Sequence, residues 1–127
     1  MAVRTIKGNL DRLEISGGSE ITYLGPTTAG NVGDLTRGFR VNPGTTGDII
    51  VVIDKSDGLI DMEIFQEDSF TAGSAPSGYF KYFNVAKAGK GKGAIGVTVT
   101  DDSKDYVVLL NFDTYSNASY TGSVTVP

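Results

Sequence analysis

Apolar residues recur at every second position in short runs along this chain, and each run stops at a cluster of Gly, Asn, Asp or Ser. A period of two places side chains alternately on the two sides of a strand, whereas a helix needs a 3.6-residue period, which no window of helical length carries. The chain is therefore expected to be all-β: an antiparallel, jelly-roll-like β-sandwich, with strands near 2–7, 10–15, 20–25, 36–42, 48–54, 59–66, 79–86, 94–100, 105–112 and 118–126. Alternation also selects a core of Phe39 and Val41; Ile49, Val51 and Ile53; Ile60, Met62 and Ile64; Ile95, Val97 and Val99; Tyr106, Val108, Leu110 and Phe112; and Tyr120, Val124 and Val126. The run Ile49 to Ile53 is apolar on both faces, which predicts a central strand covered from both sides. Ser56-Asp57-Gly58 and Asp101-Asp102-Ser103 read as hairpin turns joining strands five to six and eight to nine.

At 127 residues the chain has the length of a single domain that can bury a core without staples, and its 17 glycines fit many tight turns. Residues 1–35 are expected to form an N-terminal extended arm or edge strands packing on or extending from a sandwich of residues 36–127. There is no Cys, so neither disulfides nor thiolate metal sites enter the argument. A net charge of -4 disfavours nucleic acid as a partner, because phosphate binding draws on clustered Lys and Arg. The longest apolar run is far short of the roughly 20 residues of a membrane-spanning helix, so no membrane partner is expected. Charges at Lys7, Asp11, Arg12 and Glu14 interrupt any signal-like apolar stretch. The chain is thus expected to be used without classical secretion, or to be a trimmed segment carrying a new initiator Met.

Residues 39–65 can be laid on residues 83–112: Phe39 on Phe83, Val41 on Val85, Gly44 on Gly89, Ile49, Val51 and Ile53 on Ile95, Val97 and Val99, and Phe65 on Phe112. Each copy reads strand, glycine-bearing turn, strand, acidic turn, strand. Two such units packed together make a jelly-roll-like sandwich; resemblance among β-meanders in general is the alternative. Over residues 36–126 the chain also resembles the bacterial pre-peptidase C-terminal domain, a small β-sandwich of secreted enzymes. The resemblance lies in Phe39-Arg40-Val41 before Gly44, the strand Ile49 to Ile53, Leu59 to Phe65, Tyr106 to Leu110, and Tyr120-Thr121-Gly122-Ser123-Val124-Thr125-Val126. It implies a β-sandwich and no catalytic residues, and the first 35 residues lie outside it.

With no His and no Cys, the commonest general base and the thiol nucleophiles are absent, and neither enzymatic activity nor a cofactor is expected. Asp61 and Glu63 share a strand face and have the residue types of a glycosidase pair, but the plainer reading is a solvated face opposite Ile60, Met62 and Ile64. The acidic turns at 54–57 and 101–105 offer hard oxygen ligands suited to Ca²⁺, although Asp in a turn commonly bonds its own backbone. Lys87 to Gly93 has the composition of a phosphate loop without its glycine spacing, its Lys-Ser/Thr pair or its helix, and reads as an exposed basic connector.

Tyr79, Phe80, Tyr82 and Phe83 put aromatics on both faces of one strand, as a docking or sugar-stacking patch or as two-sided core. The candidate interaction residues are Val3, Arg4 and Ile6 of the N-terminal segment, Phe70, Tyr79 and Tyr82, and Lys90 and Lys92 of the basic connector. These point to a non-enzymatic structural protein of a virion: a phage capsid cement or decoration protein that binds neighbouring capsid subunits and forms homo-oligomers within the assembly. A carbohydrate- or protein-binding module of a secreted, extracellular bacterial protein is the alternative.

Overall fold

The computed structural model describes residues 1–9, 12–26, 36–57, 60–67, 80–84, 93–112 and 119–127, with the backbone alone for 26, 36, 61 and 80–84. Ten strands lie in these residues: β1 (Ala2–Asn9), β2 (Arg12–Ile15), β3 (Ile21–Pro26), β4 (Thr36–Val41), β5 (Gly47–Ser56), β6 (Ile60–Gln66), β7 (Phe80–Asn84), β8 (Gly93–Val99), β9 (Tyr106–Phe112) and β10 (Tyr120–Val126). They follow the alternating runs closely, because a strand with one apolar face gains most by laying that face on another sheet. Every residue of the expected core is buried between the two sheets.

Sheet A has the order β2-β1-β10-β5-β8 and sheet B the order β3-β4-β9-β6-β7. Leaving out β2 and β3, the antiparallel pairs β1/β10, β4/β9, β5/β8 and β6/β7 form one ribbon whose successive pairs fall in opposite sheets. That is the topology of an eight-stranded jelly roll. β2 and β3 extend the two sheets by one strand each, at the same flank. β1, β2 and β3 are thus built into the two sheets rather than standing off as a free arm, since β1 exchanges its backbone bonds with β10 on one side and β2 on the other, and β3 pairs with β4.

The internal repeat has a counterpart in this layout. β4-β5-β6 and β7-β8-β9 each pass from sheet B to sheet A and back, and exchanging the two sets maps the order β4-β9-β6-β7 onto itself reversed. The equivalent strands β5 and β8 pair antiparallel about Ile50 and Gly96, positions that also match in the sequence repeat.

Two expectations are corrected. Ser56-Asp57-Gly58 and Asp101-Asp102-Ser103 do not close hairpins: β5 and β8 belong to sheet A, β6 and β9 to sheet B, so both turns carry the chain across the sandwich. Turn residues reverse the chain, but they do not choose the partner: the next strand can lie face to face across the core instead of beside the one before it. β5, moreover, is covered on one face only. Ile49, Val51 and Ile53 are fully buried, while Ile50 is 38% exposed and Val52 half-buried. The strand buried on both faces is β9, the middle of sheet B. Its inward Tyr106, Val108, Leu110 and Phe112 join the core, and its outward Val107 and Leu109 form a second buried cluster with Phe65, against which Leu24 packs.

β5 carries an extra residue opposite the Thr121/Gly122 step of β10, and Gly122 sits against the β5 backbone there. A β-carbon at 122 would run into the carbonyl oxygen of Val52. Gly122→Ala is therefore expected to lower the stability by about 1–3 kcal/mol, the usual cost of overpacking, read as a fall in the urea midpoint. Leu109→Ala should cost about 2–5 kcal/mol as a buried truncation, and Ile50→Ala no more than about 0.5 kcal/mol as a surface change. Equal effects from the two alanines would contradict the two-sided burial of β9.

Candidate functional site

The outward face of sheet A is assembled by the register of its strands. Val3 stands opposite Thr125, Thr125 opposite Ile50, and Ile50 opposite Gly96. The next row runs Thr5, Ser123, Val52 and Ala94. These two rows contain no charged and no aromatic side chain, and they include Val3 and Ile50, two of the large hydrophobic residues that stay exposed, at 57% and 38%. β-branched and small residues keep such a surface flat, because the branched side chains stand upright on the pleat with little rotamer freedom.

Charges lie at the ends of this face, and several of them are bonded there. At one end Glu14 of β2 pairs with Lys7 at 3.4 Å and with Arg12, and the Thr121 hydroxyl donates to the Asp54 carboxylate at 2.6 Å. At the other, the Thr98 hydroxyl donates to Asp48 at 2.8 Å. A shallow groove of about 380 Å³, open to solvent, lies where β1, β2 and β10 meet, lined in part by Thr5, Lys7, Glu14 and Thr121. Among the described residues this groove is shallow and open, and the rows beside it are flat.

Of the interaction residues expected from sequence, Val3 lies in this face. Arg4 does not: it points the other way along β1 and is held by Glu20, just before β3, through bonds of 2.6 and 3.2 Å. That pair clips the flank of sheet A to sheet B. Ile6 is a core residue, 2% exposed, so it cannot be a surface contact; the alternation that turns Val3 outward turns Ile6 inward. Tyr82 is described by its backbone alone, opposite Glu63 in the β6/β7 pairing. Phe70, Tyr79, Lys90 and Lys92 lie outside the described residues. Sequence reasoning missed Ile50, Val52 and Thr125. The signal for the first two was present in the doubly apolar β5, but it was read as burial.

Of the acidic turns, Asp54 is held by the Thr121 hydroxyl and Asp101 by Ser103, while the side chain of Asp61 lies outside the described residues. Asp101 accepts from the Ser103 amide at 3.0 Å and its hydroxyl at 2.6 Å, bonds that hold its carboxyl below the usual range, so the acidic turn satisfies itself. Among the described residues no three acidic groups cluster in a way that could hold a metal ion. Arg40 of β4 grips Glu67 in a fork, with contacts of 2.5 to 3.0 Å. Burial pushes the Tyr120 hydroxyl well above its ordinary value, with a further contribution from Tyr23, and its ring lies against Phe112 at a centroid distance of 6.0 Å. The chain matches no protein-family model, and no curated protein matches it.

The Glu20 carboxyl is held below its ordinary value, chiefly by the side-chain bond from Arg4 and then by a backbone bond. A depressed folded value contributes stability above the unfolded pKa of about 4.5 and loses it as pH falls through the folded one. Glu20→Gln is thus expected to be less stable than wild type at pH 7, with the difference shrinking as urea titrations move below about pH 4.5. A difference that stays constant down to pH 2 would show that the ion pair is not its source.

Proposed function

We propose that this chain is a non-enzymatic structural protein of a virion, a phage capsid cement or decoration protein that lies against neighbouring capsid subunits through the outward face of sheet A. The observation that carries the reading is the pair of flat, uncharged rows from Val3 to Gly96 and from Thr5 to Ala94, exposed in a jelly roll. Jelly rolls serve as viral shell proteins, as lectins and as cupins. A lectin stacks sugars on aromatic rings, and this face has none. Cupin metal sites draw on histidine, and this chain has none. A flat face with neutral rows and charges kept to its ends is suited to a broad protein surface, where burial of small apolar and hydroxyl side chains leaves few polar groups unmatched.

The chain is expected to sediment with megadalton particles when the native source is resolved on a density gradient and probed with an antibody. Val3→Glu combined with Ile50→Glu should release it to the top fractions while the variant still shows a cooperative thermal transition, because neither side chain belongs to the core. Wild type remaining at the top would sink the assembly reading. A double variant that still travels with the particles would move the contact away from this face.

A further inference from the structure

Three of the four sheet edges carry features that discourage further pairing. β2 is four residues long and bears Arg12 and Glu14. β3 is broken by a register shift between Tyr23 and Gly25 and ends on Pro26. β7 has Lys81 in its short run. β8 has none of these: Gly93-Ala94-Ile95-Gly96-Val97-Thr98-Val99 is uncharged, free of proline, and pairs with β5 without a register shift. An edge of that kind is a template for another strand.

The internal symmetry says what kind of strand fits. β5 is flanked by β10 and by β8; its repeat equivalent, β8, is flanked by β5 alone among the described strands. β8 already pairs antiparallel with its own equivalent, about Gly96. A two-fold through Gly96 on the open side sets Gly96 against Gly96 and Ala94 against Thr98 on the outward face, and Ile95 against Val97 on the core face. No bulky or charged side chain meets its like. The core residues Ile95 and Val97 of β8 are buried at 6% and 4% exposure, slightly less than the fully buried Ile49, Val51 and Ile53 of β5, and Val99 is 1% exposed.

We propose that two copies of this chain join through their β8 edges, antiparallel about Gly96, so that the two A sheets become one continuous sheet. An isologous contact of this kind closes on itself and stops at two copies. The inference does not rest on the virion reading, since a pair in solution stands whether or not the chain rides a particle.

The test is sedimentation equilibrium of the purified full chain over a range of concentrations, with the mass expected to rise to twice 13.4 kDa. Ala94→Lys combined with Thr98→Lys places like charges directly opposite across the joint, at two exposed positions. It is expected to weaken dimerisation by about tenfold or more while the thermal transition of the monomer is kept. Because the chain has no cysteine, oxidation gives a clean register test. Ala94→Cys mixed with Thr98→Cys should form a disulfide-linked dimer, and either variant alone should not, since like positions lie too far apart for the bond. A monomer at every concentration overturns the proposal. So does a dimer that ignores the lysines and fails to cross-link in the mixed sample.

Discussion

The pairing of β1 with β10 is the contact on which the jelly roll depends. It joins Ala2 to Val126 and Gly8 to Tyr120, nearly the whole length of the chain apart. Without it β1 and β2 would lose their place in sheet A, Ile6 would have no place beside Gly122, and β10 would become the edge next to β5. Closing so long a loop is entropically unfavourable before any contact repays it, which places the fold among the non-local topologies that form slowly. The close approach of Gly122 to the β5 backbone sits beside this closure. A backbone without a side chain at 122 lets β10 lie between β1 and β5 where the extra residue bends the sheet.

Period two was enough to read the strands and the inward face of each, because burial of one face is what decides register. It could not say which of two doubly apolar strands lies in the middle. Ile49 to Ile53 and Tyr106 to Leu110 look alike as strings, and both strands are flanked by two others, yet among the described residues only β9 has a buried cluster on its outward face. Nor could local turn chemistry separate a hairpin from a crossing, because Asp101 makes the same bonds to Ser103 in either. The exposed rows of sheet A were hardest to see. They are created by registers between strands far apart in sequence, so Val3 was legible as exposed and Ile50, two strands away, was not.

The two sheets differ in how they use their outward faces. Sheet B turns Phe65, Val107 and Leu109 outward and buries them, so its second face is part of the stability of the fold. Sheet A turns Thr, Ser, Val and Ile outward and leaves them open. Their stiff side chains have little rotamer freedom to lose, so the difference between the two sheets lies in what covers the outward face rather than in its mobility. Arg4 with Glu20 ties the two layers together at the flank away from β8.

The side-by-side placement of Ala2 and Val126 has a mechanical consequence. A load applied between the two ends would pull β1 and β10 apart crosswise, breaking their backbone bonds one pair at a time like a zipper. The same load applied along the strands, through the broad face or the flank of the sandwich, would have to shear whole rows together. The molecule is thus weak when drawn by its ends and strong when held by its surfaces.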